Sequence, residues 1–271
     1  MRIALTGATG RLGRVVREGL LSAGYVLASN DIKGEPPAPH ERDSFRRGDL
    51  KDPAVVDELL QGARAVVHLA ATVRDPSFAE VIDNNHHALY QLYEGARRQR
   101  VGRVVFASSN HAFGLHPVGE KLRLDAPYGG DCFYGLSKIW GEQLGRMYWE
   151  KHGIETVALR IGTFMDGPPR NERELATWLG REDLLQLVTR AIEAPPGVGF
   201  APVWGVSANT RNYYDLTEGN AIGYAPVQDA ELWAFEVLSR PAAADPVAAR
   251  YQGGSFLMFD YTPEDQRPRQ P

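Results

Sequence analysis

Tyr134 and Lys138 stand four residues apart in Tyr134-Gly135-Leu136-Ser137-Lys138, a spacing that puts both side chains on one face of a helix. A free phenol titrates near pH ~10 and is a poor base at neutral pH. A lysine ammonium beside it favours the phenolate, so the pair predicts a Tyr134 pKa lowered into the range of a proton acceptor. The chain has eleven tyrosines but only five lysines, so such a pair is less common than the tyrosine content suggests. Ser109 lies 25 residues earlier, just past the strand-type run Arg103-Val104-Val105-Phe106-Ala107. Ligands of open α/β sheets bind at the carboxyl ends of strands, and a serine there can hydrogen-bond the oxygen that Tyr134 deprotonates. The chemistry predicted is proton removal from a substrate hydroxyl.

A partner for that chemistry is predicted by Thr6-Gly7-Ala8-Thr9-Gly10-Arg11-Leu12-Gly13. The stretch follows a short apolar run, residues 1–5, and opens residues 14–21, whose apolar positions recur at helical spacing. A strand that turns on glycines into a helix aims several backbone N–H groups at one spot, with the positive end of the helix dipole behind them. That spot attracts a pyrophosphate, and the glycines let the backbone approach it. Taken alone, a glycine string is equally an ordinary tight turn. The second apolar run, residues 25–30, ends at Asp31. A carboxylate there accepts from ribose hydroxyls and repels a 2′-phosphate, so the pattern predicts NAD rather than NADP, with Lys33 the one nearby residue that favours a phosphate.

These residues must be held by alternating strands and helices, and the rest of the chain supplies them. A strand is predicted at residues 65–70, a long helix at 77–98, a strand at 103–107, a second long helix at 132–152, and a sixth parallel strand at 155–162. This is the pattern of a doubly wound parallel sheet, an α/β Rossmann fold. Residues 1–162 read as the NAD-binding domain with the Ser-Tyr-Lys set. Residues 163–271 read as a small substrate-binding and wrapping segment, with helices at 173–179, 183–194 and 215–222 and a strand near 202–206. Residues 33–39 and 114–131 read as loops. With 43% hydrophobic and 24% charged residues and a formal charge of −4, nothing favours nucleic acid or an anionic membrane as a partner. No apolar run approaches the ~20 residues of a membrane span. The strand starting at residue 2 leaves no room for a signal peptide, which predicts a cytoplasmic protein. The single cysteine, Cys132, excludes an internal disulfide and a thiolate cluster, and no metal is expected. Cys132 reads as a packing residue, and His86 and His87 as structural.

Gly7, Gly10 and Gly13 with Asp31, Asp49, Asn85, Ser109, Tyr134 and Lys138 resemble the extended short-chain dehydrogenase/reductase superfamily. The resemblance implies that NAD lies along Gly7, Thr9, Gly10, Arg11, Leu12 and Gly13, with Asp31 on the ribose and Asp49 and Leu50 at the adenine. It implies that Leu69, Ala70, Ala71, Asn85, Ala107, Tyr134, Lys138 and Ile161 complete the cofactor set. Lys138 would hold the nicotinamide ribose and Asn85 support the proton relay. Without it, Asp49 reads as a helix cap before Pro53 and Asn85 as a polar residue on a helix face.

A closer resemblance, over nearly the full length, is to the uronate dehydrogenases. It is carried by Phe106-Ala107-Ser108-Ser109-Asn110-His111, Arg160-Ile161-Gly162, Thr177-Trp178, Val203-Trp204-Gly205-Val206-Ser207-Ala208-Asn209 and Arg250-Tyr251-Gln252-Gly253-Gly254-Ser255-Phe256. It implies oxidation of a hexuronate at its anomeric carbon to an aldarolactone, with Thr72, Ser109, Asn110, His111, Tyr134, Thr163 and Arg173 at the sugar and Arg173 on its carboxylate. A guanidinium fork matches a carboxylate bidentately, which favours this role over the solvated surface arginine that the neighbours Glu172 and Glu174 would suit. One stretch departs from the family's Gly-Gly-x-Ser: here it is Ala70-Ala71-Thr72-Val73. Three other readings share the catalytic set or the fold. They are a dehydrogenase of a neutral or phosphorylated aldose, served by Arg170 and Arg173, a nucleotide-sugar epimerase or dehydratase, and a non-catalytic NAD-binding regulator. A homo-oligomer paired through the long helices is also implied.

Overall fold

The computed structural model describes residues 1–34, 38–73, 77–217, 221–240 and 245–267. Seven strands form one parallel sheet: β1 (Arg2–Thr6), β2 (Val26–Asp31), β3 (Asp43–Arg47), β4 (Ala65–His68), β5 (Arg103–Ser109), β6 (Glu155–Ile161) and β9 (Phe200–Gly205). Their spatial order is β3-β2-β1-β4-β5-β6-β9. A short two-stranded sheet pairs β7 (Thr163–Phe164) with β8 (Trp178–Leu179). The connections run outward in opposite directions from β1 and β4, so a crevice opens at the carboxyl ends of these two strands. This is the expected doubly wound α/β fold.

Successive residues of a strand face opposite sides, and both faces of this sheet are covered. Ile3 and Leu5 of β1 face α1 (Arg11–Ser22) and α7 (Arg181–Glu193), which contribute Val16, Leu20, Leu184, Leu187 and Ala191. Ala4 faces the other way, with Val66, Val104 and Phe106, toward α2 (Pro53–Leu60), α4 (Ala88–Arg98) and α5 (Phe133–His152). Leu59, Leu89, Leu92, Tyr93 and Leu144 fill that side. A third cluster, around Phe113, Trp204 and Tyr214, lies beyond the strand ends.

The structure corrects several expected elements. The helix anticipated over 77–98 is α3 (Phe78–Val81), a π-helical stretch Ile82–His87, then α4. Ser77 starts it with a capping box closed by Glu80. The helix expected over 173–179 is α6 (Glu172–Thr177), and its last residues instead open β8. The helix expected over 215–222 does not form in the described part of that range. Asp215 turns back to accept from the backbone N–H and hydroxyl of Thr217, and Tyr214 bridges to Leu122, so the backbone has other partners. Residues 218–220, and 35–37 of the expected loop 33–39, lie outside the described residues. The loop 114–131 is tied inward by the Arg160–Glu142 ion pair, whose side chains are almost wholly buried. Arg160 also donates to the Leu124 carbonyl at 2.7 Å, and Glu142 accepts from Tyr128 at 2.9 Å.

Candidate active site

The glycine loop leaves β1 and enters α1 at the crevice. Gly7 has φ +69°, and a Cβ there would lie 2.7 Å from the Ala70 nitrogen. A Cβ at Gly13 would lie 1.9 Å from the Gly7 carbonyl oxygen. Only glycine lets helix, strand and the Leu69–Ala70 backbone approach so closely. Gly10 is the N-cap of α1 and offers no side-chain cap, so the first N–H groups of the helix remain available to an anion. Asp31 accepts from the Thr9 backbone at 2.9 Å and the Thr9 hydroxyl at 2.7 Å, which fixes its carboxylate beside the loop. Arg11 and Leu12 begin α1. Ala107 and Ile161 are buried at the ends of β5 and β6. Leu69, Ala70 and Ala71 form the half-buried segment after β4. These residues fit a dinucleotide: a glycine cradle, a helix terminus for the phosphates, and a carboxylate at the ribose position. Gly13→Ala should lower NAD affinity at least tenfold and destabilise the chain by about 2 kcal/mol. Calorimetric titration with NAD and thermal unfolding check both effects.

Asp49 is not the helix cap; Asp52 is, accepting from Ala54 N–H at 2.8 Å. Asp49 pairs with Lys51 and leads into buried Leu50. Asn85 is 6% exposed, inside the π-helical stretch. Its Oδ1 accepts from Thr72 N–H at 2.8 Å, and its Nδ2 donates to the Thr72 carbonyl and the Ser137 hydroxyl, each at 3.0 Å. Asn85 thus ties the loop after β4 to α5 next to Lys138. The Thr72 hydroxyl accepts from Asn84 Nδ2 at 3.1 Å and keeps its own hydrogen for another acceptor. Val73, where the family serine is usual, is exposed.

β5 ends in Ser109 and turns into a 3₁₀ segment, Asn110–Phe113, so Ser109, Asn110 and His111 are all buried at the mouth of the crevice. The first turn of α5 brings Tyr134 and Lys138 to the same place. The Ser109 hydroxyl reaches the Tyr134 phenol. Lys138 Nζ lies 5.3 Å from the Tyr134 ring centroid and 4.9 Å from that of Phe106. Burial pushes the Tyr134 phenol up to about 12, outweighing the Ser109 hydrogen bond that favours the phenolate. The lowered tyrosine pKa expected from the sequence is therefore not found. The lysine is itself desolvated, and burial pulls its ammonium down to about 7. Between about pH 7 and its ordinary 10.5, the folded chain then holds fewer protons at Lys138 than the unfolded chain does, so the penalty of burying it fades as pH rises. Lys138→Met should raise the melting temperature of the cofactor-free chain by several degrees near pH ~6 and far less near pH ~10. Calorimetry at the two pH values checks this; equal shifts at both would contradict it.

His111 stacks on Phe256 at 3.9 Å, and its Nδ1 lies 2.7 Å from the Asp131 carboxylate. An ionised carboxylate only accepts, so Nδ1 carries the hydrogen and Nε2 is left as an acceptor. Burial lowers the His111 pKa, with Arg173 adding to it and Asp131 opposing. Cys132 is the N-cap of α5 rather than a mere packing residue: its sulfur accepts from Gly135 N–H at 3.4 Å and its thiol donates to Asp131 at 3.1 Å. Burial, reinforced by the Asp131 charge, pushes that thiol far up. His86 lies against Trp140, and His87 faces Asp83.

Arg173, on α6, forms no ion pair with its acidic neighbours among the described residues. Glu174 is buried and bound by Arg170 through both the backbone N–H and the guanidinium. Arg173 turns the other way. Its Nε donates to the Gln252 carbonyl at 2.5 Å and its Nη1 to the Thr163 hydroxyl at 3.4 Å. Its stem packs on Gly254, where a Cβ would lie 2.6 Å from Arg173 Cδ. Among the described residues no carboxylate pairs with Arg173. The carboxyl-terminal segment therefore seats Arg173 and brings Phe256 within 6.3 Å of the Tyr134 ring. Phe256 and Asp131 were not foreseen as site residues. Only the Gly253-Gly254 pair hinted that backbone there must pass close to something.

Residues 3–181 match the sequence profile of the NAD dependent epimerase/dehydratase family. A uronate dehydrogenase of Pseudomonas putida is 39% identical over 95% of this chain and 96% of its own length. A uronate dehydrogenase variant from Agrobacterium tumefaciens, solved in complex with NAD, superposes with a TM-score of 0.89 at 36% identity, covering 95% of this chain and 97% of that one. A glucuronic acid dehydrogenase from Chromohalobacter salexigens gives 0.89 at 33% identity, covering 95% and 96%. By this likeness, over nearly its whole length, the chain belongs to the NAD dependent epimerase/dehydratase family and, within it, to the uronate dehydrogenases.

Proposed function

We propose that this chain is an NAD-dependent oxidoreductase that converts a free hexuronate, D-glucuronate or D-galacturonate, to its aldarolactone. Arg173 carries this reading: a half-buried guanidinium, held by a backbone carbonyl and a threonine and left without a carboxylate partner among the described residues. Such a group calls for an anionic substrate. Arg173 is an electrostatic neighbour of His111, and the segment that seats it also brings Phe256 toward the Tyr134 ring, which supports an anion bound in the same site.

In this reading residues 1–162 hold the cofactor and residues 163–271 close over the sugar. Bound NAD supplies the hydride acceptor and a ring that carries positive charge. Tyr134 accepts the proton of the anomeric hydroxyl, and Ser109 donates to the same oxygen as it becomes a carbonyl. Lys138 holds its position beneath the phenol, fixed through the Asn85–Ser137 bond on the same helix. His111 Nε2 faces the sugar hydroxyls, Asn110 contacts the sugar, Thr163 and Thr72 add hydroxyls, and Arg173 fixes the ring in register.

We assign the contact between copies of a homo-oligomer to the exposed Tyr90, Leu136 and Met147 on α4 and α5. No described helix is long and apolar enough to cross a membrane, and we assign the reaction to the cytoplasm. Glucuronate deuterated at its anomeric carbon tests the chemistry. The label should pass to the reduced cofactor and leave an unlabelled lactone; a labelled product would contradict oxidation at that carbon.

A further inference from the structure

Arg173 Nη2 is buried with no hydrogen-bond partner among the described residues, and the Tyr214 hydroxyl, in the field of Arg173, has only the Asn110 amide beside it. Asn110 is 2% exposed and Tyr214 1%. A buried donor left unpaired is costly, and native structures keep few of them.

Tyr214 is firmly placed. Its ring stacks on Trp204 at 4.2 Å and 20°, its N–H donates to Asn212 Oδ1 at 3.0 Å, and its backbone bridges to Leu122. The hydroxyl end lies beside the Asn110 amide and in the field of Arg173, with Asp131 and Tyr213 also near. Arg173 Nη2, Asn110 Nδ2 and the Tyr214 hydroxyl each have a hydrogen left to donate, since Asn110 Nδ2 carries two and the hydroxyl accepts from it through its oxygen. A carboxylate offers two oxygens and about four lone-pair directions, enough to take all three at once. A neutral hydroxymethyl group offers one oxygen and cannot.

We propose that Tyr214 is a specificity-determining residue that donates its O–H to the substrate carboxylate, alongside Arg173 Nη2 and Asn110 Nδ2. This rests on the uronate reading of the same site and adds a residue to it. Arg173 supplies charge, and Tyr214 supplies a neutral, directional donor whose position is set by Trp204.

Tyr214→Phe keeps the ring and the stack and removes only the hydroxyl. With the full chain and saturating NAD, kcat/KM for glucuronate should fall roughly tenfold or more, mainly through KM, while kcat/KM for glucose stays unchanged. The free variant should melt close to the parent, because the deleted hydroxyl has only the Asn110 amide beside it. An unchanged glucuronate-to-glucose ratio, an equal loss on both sugars, or a melting temperature several degrees lower would each overturn the proposal, assigning the hydroxyl to water or to structure. A parent enzyme that prefers glucose before any substitution would overturn the uronate reading and this proposal together. An unchanged ratio in a parent that prefers uronates overturns only the role of Tyr214.

Discussion

Turnover of the Tyr134→Phe enzyme is expected to fall on the order of a thousandfold, with NAD bound as tightly as in the parent. The phenol oxygen is the only part removed, and the buried ring still packs at the start of α5. Neither the glycine loop nor Asp31 depends on it. The loss should sit in kcat rather than in KM, because the oxygen acts on a proton that moves only in the transition state. The parent rate should also climb with pH, since burial holds the Tyr134 pKa well above its ordinary value in the free chain. The phenylalanine variant should lose that climb. Steady-state kinetics from neutral to alkaline pH, with calorimetric titration of NAD, separate the two effects. Parent-like turnover in the variant would remove Tyr134 from the mechanism.

Arg173→Ala is expected to lower kcat/KM for a uronate on the order of a hundredfold while leaving the KM for NAD unchanged. A charge-assisted fork to a carboxylate is worth more than a neutral hydrogen bond, and Arg170, the other arginine weighed for that role, is bound to Glu174. The guanidinium also seats the carboxyl-terminal segment through the Gln252 carbonyl, so alanine alone removes two functions. Activity on glucose separates them. A loosened segment would depress both sugars, since Phe256 and His111 serve any ring that binds there. Loss of the carboxylate contact alone depresses only the uronate. Arg173→Lys should recover part of the uronate activity, because charge remains while the planar fork does not.

The parallel sheet was legible because its strands are buried on both faces and read as nearly unbroken apolar runs, as in residues 65–68 and 103–107. Gly7, Gly10, Gly13 and Asp31 were legible because phosphate binding imposes a local backbone geometry. Tyr134 and Lys138 follow from helical spacing, and Ser109 from its place at a strand end. What the sequence did not reveal lies where distant segments meet. Asp131 acquires its role only when the loop 114–131 folds back beneath His111, between glycines 114, 135 and 253. Phe256 reaches the pocket from a carboxyl-terminal stretch of short 3₁₀ turns, which carries no periodicity to read. Arg173 was expected at the carboxylate although Glu172 and Glu174 adjoin it in sequence; the fold adds that Glu174 points at Arg170 instead. The tyrosine pKa was misjudged because spacing reports that a lysine is near but not that both groups are desolvated together. A helix over 215–222 was expected from composition, and the Asp215–Thr217 turn won instead.

The most direct test is NAD reduction followed by absorbance with D-glucuronate, D-galacturonate, glucose, glucose 6-phosphate and UDP-glucuronate side by side. The account predicts rapid reduction with the two free uronates and poor activity on the neutral, phosphorylated and nucleotide-linked sugars. Preference for glucose or its phosphate would contradict the role given to Arg173, and silence on every sugar with NAD still bound would contradict the enzyme itself.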